Sequence, residues 1–177
     1  TALLEQHWGT VQASSVEKQK SITHYRDLID PDRLSKANQN NGRRIFTKLC
    51  ANCHTMFGQG SKIGPDLTGS NRDSADYLLD NIIDPSRIVP RGMRQSLFLL
   101  DDGRVVSGVP VRDDTTTVTV QTATEVVTLD VRQIETRKQK QTSLMPEGLL
   151  KDLSDQEVRD LFAYLQSSTQ VAESPTP

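Results

Sequence analysis

The sequence predicts a mainly α fold with a small antiparallel β insertion. Three observations predict it. Apolar residues recur at helical spacing near both ends of the chain. The stretch from about 95 to 131 switches to polar–apolar alternation, the period of a strand. Glycine- and proline-containing runs separate the two textures.

Taken in order, residues 1–36 read as a polar, helical N-terminal extension. Leu3, Leu4 and Trp8 make one short stripe, and Ile22, Tyr25 and Leu28 another, until Asp30-Pro31 breaks the pattern. A second helix should run from about Asn40 to Cys50, because Gly42, Phe46 and Cys50 share one face. The run from Met56 to Gly69 contains Gly58, Gly60, Gly64 and Pro65 and reads as neither helix nor strand. A helix from about Ser74 to Ile83 ends at Asp84-Pro85. Three or four strands follow, with a hairpin signalled by Asp102-Gly103 between Leu97–Leu100 and Arg104–Val106. A last helix, Ser154–Leu165, opens with Ser154 and Glu157 at capping-box spacing and buries Val158, Leu161, Phe162 and Leu165. Residues 37–168 thus form the main domain, with the β insertion at about 95–131, and residues 169–177 read as a flexible tail. No internal repeat is visible.

A chain of 177 residues suffices for one domain with a usable core. Its 21 basic and 23 acidic residues give a net charge of −2, which leaves no basic stripe for nucleic acid. No apolar run approaches the roughly 20 residues that span a bilayer. The chain opens at Thr1 with no charged start and apolar core, so it reads as a processed product or an excised domain.

The chemistry concentrates in Cys50-Ala51-Asn52-Cys53-His54. Two thiols one helical turn apart can add to the two vinyl groups of a haem, and the next residue then faces the iron as its proximal ligand. A redox dithiol has no use for the trailing histidine, and no thioredoxin-like β-α-β pattern surrounds this one. A zinc site would need two more soft ligands; only His7 and His24 remain, and there is no third cysteine. The motif therefore reads as attachment of one haem c, with Cys50 and Cys53 as thioether donors and His54 on the iron. A packed prosthetic group would also help fill an interior whose hydrophobic and aromatic fractions are only 34% and 5%.

Candidates for the sixth iron ligand are Met56, Met93, Met145, His7 and His24. Met56 follows His54 too closely to reach the far side. Met93 lies in Pro90-Arg91-Gly92-Met93. Met145 lies in Ser143-Leu144-Met145-Pro146-Glu147-Gly148, where Pro146 would stiffen the loop, and it is the favoured ligand. Pro65, in Ile63-Gly64-Pro65-Asp66-Leu67, is a candidate partner for the second ring nitrogen of His54.

The Gly42–Phe46 helix, the Cys50–His54 motif, Gly64–Gly69 and the Leu161–Leu165 helix resemble a class I cytochrome c. That resemblance implies a helical core around the haem, with Gly42 and Phe46 meeting residues such as Leu161 and Tyr164. It implies a Pro65 carbonyl that accepts from His54, and Met145 on the iron. A narrower resemblance covers nearly the whole chain. Ile63–Gly69, Asn81–Ser86, Asp102-Gly103-Arg104 and Ser143–Leu149 are similar to the haem-binding domain of planctomycete and verrucomicrobial proteins. In that family the domain usually ends large secreted or membrane-associated proteins, often behind dehydrogenase-like propellers or helical repeats.

These readings converge on a mono-haem electron-transfer module rather than an enzyme. It would carry single electrons from a dehydrogenase-like donor, attached or separate, to a redox acceptor. The location would be periplasmic or otherwise extracytoplasmic, as the resemblance implies. The rival is a haem peroxidase or gas sensor with a displaceable distal ligand. The β insertion would either cover a haem face or dock a partner.

Overall fold

The computed structural model describes residues 13–172. The chain divides into two compact units, one from Ser14–Asp84 with Glu147 onward, the other Pro85–Pro146.

In the first unit, five helices form where the local chemistry caps them. Helix α1 (Val16–Leu28) starts at Ser15, whose side chain accepts from the Lys18 amide. Helix α2 (Pro31–Leu34) places proline in its first turn behind the Asp30 cap. Helix α3 (Gln39–Leu49) is capped by Asn38, which accepts from the amides of Asn40 and Asn41. Helix α4 (Ala75–Ile83) is capped by Ser74. Helix α5 (Asp155–Leu165) carries the full reciprocal capping box of Ser154 and Glu157.

Helices α3 and α5 meet at backbone distance. A Cβ on Gly42 would stand 1.9 Å from the Asp160 carbonyl oxygen and 2.8 Å from Tyr164 Cβ, so only glycine fits there. Beside that contact, Phe46 and Tyr164 pack at 5.5 Å between ring centroids. Asp160 is buried, and its carboxylate accepts from the Asn38 amide and the Asn41 side chain, both at 2.8 Å. The common core contains Ile22, Ile45, Phe46, Leu79, Val158, Leu161 and Phe162.

The second unit is a five-stranded antiparallel sheet: β3 (Ser96–Leu100), β4 (Val105–Asp113), β5 (Thr117–Gln121), β6 (Val126–Asp130) and β7 (Ile134–Gln139). Their order across the sheet is β6-β5-β4-β3-β7. Strands β6 and β7 lie at opposite edges but are joined only by the short 3-10 turn Val131–Gln133. In a flat sheet those edges would be about 19 Å apart, whereas the step from Asp130 to Ile134 spans at most about 14 Å. The sheet must therefore curl, and the irregularity between Pro110 and Arg112 in β4 gives it a bend. Phe98 and Leu100 of β3, Val118 and Val120 of β5 and Leu129 of β6 close on one another inside the curl.

The expected mainly α fold with a small β insertion is thus corrected: the described residues form five helices and also a five-stranded antiparallel sheet that has its own apolar core. The strand missing from the sequence reading is β7. Its six residues, Ile-Glu-Thr-Arg-Lys-Gln, are exposed except for the half-buried Ile134, so it lacks the apolar alternation that marks a strand. It forms because β3 offers it a free edge, pairing Ser96 with Gln139 and Phe98 with Arg137. A smaller correction falls between residues 55 and 60. Strands β1 (Thr55–Met56) and β2 (Gln59–Gly60) form a hairpin where irregular chain was expected. Its turn holds Phe57 at φ 51° and Gly58 at φ 76°, the left-handed pair of a type I′ turn.

Candidate functional site

The motif begins where α3 ends. Cys50 is the C-cap of α3 and its amide donates to the Phe46 carbonyl at 2.8 Å. The Cys50 carbonyl then accepts from the amides of Cys53, at 3.0 Å, and His54, at 2.8 Å. One tight turn therefore carries both thiols and the imidazole. Both cysteines are free thiols and half-buried. Burial, with a smaller contribution from the neighbouring Cys53, pushes the Cys50 thiol up to about 12, so it is held as S–H.

His54 is oriented by the returning loop. Its Nδ1 lies 2.9 Å from the Pro65 carbonyl oxygen. A carbonyl only accepts, so Nδ1 must carry a proton, and the neutral ring then keeps its lone pair on Nε2. The loop is drawn in by the Gly64 amide, which donates to the Cys53 carbonyl at 2.6 Å, and by the Leu67 amide, which donates to Thr55 at 2.8 Å. Gly64 lies directly against the ring. A Cβ there would stand 2.7 Å from His54 Cε1 and 2.8 Å from Nδ1. Two thiols and an imidazole with a free Nε2 form the donor set of a covalently held haem, and a ring fixed through its other nitrogen is how ligating histidines are usually held.

Other candidates fall elsewhere. Met56 is fully buried in the core of the helical unit, where it is a packing residue. Met93 closes a 3-10 turn, Arg91–Met93, and is 47% exposed. His24 is an exposed residue of α1 that packs beside Tyr25 at 5.1 Å between ring centroids. His7 lies outside the described residues. Met145 belongs to the second unit, and its amide donates to Ser143 Oγ at 3.1 Å.

Two supporting residues were not read from the sequence. Gly64 was read as part of an irregular loop, with no sign that the ring of His54 would cover it. Arg72 sits in the polar run Gly69–Asp73, where nothing in the sequence announces burial. Its guanidinium is buried and donates to the carbonyls of Leu165 at 2.5 Å, Ser167 at 2.8 Å and Thr68 at 3.0 Å. It also lies over the Phe57 ring at 5.0 Å. Thr68 in turn accepts from the Phe57 amide at 2.8 Å. Arg72 thus ties the open C-terminal carbonyls of α5 to the loop that supplies Pro65.

Among the described residues no group of three or more His, Cys, Asp or Glu side chains forms a metal cluster, and no helix is long and apolar enough to cross a membrane. No curated protein matches the chain. The profile of the family described as cytochrome C oxidase, cbb3-type, subunit III matches residues 37–97. The matched segment contains α3, the Cys50–His54 turn, the Pro65 loop and α4. The match supports a c-type cytochrome haem-binding domain and, with it, a haem-based electron-transfer function.

Proposed function

We propose that the chain is a mono-haem c-type cytochrome module that passes single electrons from a dehydrogenase-like donor to a redox acceptor, without catalysing a reaction of its own. The observation that carries this reading is the His54–Pro65 hydrogen bond within a Cys-x-x-Cys-His turn. Cys50 and Cys53 would hold the haem by thioethers, each S–H adding across one vinyl group. His54 would offer Nε2 to the iron, with the Pro65 carbonyl fixing the tautomer and Gly64 leaving the ring its place. Met145 would be the sixth ligand. Bound there, the haem supplies one-electron exchange between Fe(III) and Fe(II), with Met ligation raising the potential. The protein's part is to hold both axial donors, so that electron exchange requires little rearrangement, and to exclude water from the iron.

The same reading keeps residues 37–168 as one cytochrome domain of the planctomycete and verrucomicrobial kind, with an extension at 1–36, a tail at 169–177 and a β insertion at about 95–131. It would work outside the cytoplasm, attached to or meeting its dehydrogenase there.

The ligand assignment is tested with Met145→Ala. The haem-loaded variant should show a lower potential, a high-spin oxidised spectrum and binding of small ligands. Met93→Ala should leave the spectrum unchanged. A high-spin shift in Met93→Ala and not in Met145→Ala would overturn the assignment.

A further inference from the structure

The chain leaves the helical unit at Asp84 and re-enters it at Glu147, so residues 85–146 all lie between these two carboxylates. One ammonium holds both. Lys18 Nζ, in the first turn of α1, donates to Asp84 Oδ1 at 2.6 Å and to Glu147 Oε1 at 2.7 Å. Asp84 is only 5% exposed, and its second oxygen accepts from Ser14 Oγ, so its side chain has little freedom. Burial alone would lower the Lys18 pKa, but the hydrogen bonds and charges of Asp84 and Glu147 raise it above the ordinary lysine value.

The same two stretches of chain are tied a second time within the β unit. The Ser143 amide donates to Ser86 Oγ at 3.2 Å, and the Ser143 carbonyl accepts from the Gln95 side chain at 2.6 Å. The loop Ser143–Glu147 is therefore anchored at both ends to the segment 84–86 or its neighbours. Between the anchors it is short and stiff. Pro146 has a fixed φ and restricts Met145 before it to extended conformations. A restraint on Glu147 thus reaches Met145 through very few free torsions.

We propose that Lys18 is a positioning residue for the sixth-ligand loop: by pinning Glu147 to Asp84 it limits how readily Met145 leaves the iron. The inference rests on Met145 as the sixth ligand. An exogenous ligand binds only to the fraction of molecules in which Met145 has left, so its apparent affinity reports that fraction. Losing a partly buried ion pair should raise the fraction by roughly 2- to 10-fold.

The test titrates imidazole into the oxidised, haem-loaded full chain and measures the reduction potential alongside. Lys18→Met should bind imidazole several-fold more tightly and have a lower potential, and Lys18→Arg should restore both. Glu147→Gln should shift affinity in the same direction, which serves if Lys18→Met does not accumulate. In a Met145→Ala background, Lys18→Met should add nothing. If Lys18→Met and Glu147→Gln lower thermal stability but keep wild-type imidazole affinity and potential, the ion pair is only structural and the inference fails. If Met145→Ala itself binds imidazole no better than the wild type, the ligand assignment fails instead.

Discussion

Each of the two units is held together internally by a different kind of contact. In the helical unit α3 touches α5 backbone to side-chain position, with Gly42 against the Asp160 carbonyl and a buried Asp160 carboxylate answering Asn38 and Asn41. Such contacts admit one residue type at one place. In the β unit five apolar side chains close inside a curled sheet, and the turns around them are set by short-range carboxylates. Asp102 accepts from the Arg104 amide, Asp114 from Thr116 and Thr117, and Asp130 from Arg132. The apolar contacts admit a class of residues and depend on pattern more than identity, although Gly108 in β4 is as tightly confined as Gly42. Point-specific contacts are not confined to one unit, since a Cβ on Gly108 in β4 would stand 2.3 Å from the Gln121 carbonyl oxygen, but the helical unit places one of them, Gly64, directly against the ring of His54.

The comparison breaks most readily at Gly42. A valine there must separate α3 from α5, at a cost at or beyond the upper end of the ~1–3 kcal/mol typical of overpacking. Gly42→Val should lose the cooperative unfolding transition of the helical unit, measured by circular dichroism. Near-wild-type stability would mean that the helix contact is not specific to glycine.

A middle-sized effect is expected in the β unit. Phe98 is fully buried, and Phe98→Ala should cost about 3–5 kcal/mol. Hydrogen exchange should show the loss in the amides of β3–β7, with those of α3 and α5 still protected. Equal loss in both units would mean that they unfold as one and would erase the distinction.

The smallest effect concerns acid. Asp114 and Asp130 are held down at about 2 in the folded chain by the hydrogen bonds of their turns, Asp114 chiefly by the Thr117 and Thr116 amides and Asp130 by Arg132. An unfolded aspartate titrates near 3.9. Their stabilisation is therefore complete above about pH 4 and lost as pH falls towards about 2. Because Asp114 is exposed and Asp130 only half-buried the loss should be modest, and it should vanish in Asp114→Asn/Asp130→Asn. A variant as acid-sensitive as the wild type would assign the sensitivity to other groups.

Legibility followed the same division. The helices around the Cys50–His54 turn were readable because each has a local signal. The Asp84-Pro85 stop, the capping box at Ser154 and the shared face of Gly42 and Phe46 locate α4, α5 and α3 to within a residue or two. The Asp102-Gly103 turn was equally plain. What stayed hidden depends on distant chain. Strand β7 exists only because β3 leaves an edge open, and Arg72 is buried only because α5 ends above it. The overall balance of helix and sheet was misjudged because a polar edge strand leaves no periodic trace. The hydrogen-bond partner of His54 could be guessed from a nearby proline loop, whereas the closeness of Gly64 to the ring could not.

The central claim is that Cys50 and Cys53 hold one haem covalently, and the most direct measurement is where the haem goes when the protein is denatured. Acid and organic solvent should leave the haem on the polypeptide, and mass analysis should place it on a peptide containing residues 50–54. Cys50→Ala and Cys53→Ala should each weaken or abolish maturation. Haem that passes freely into the organic layer from the wild-type chain would contradict the account.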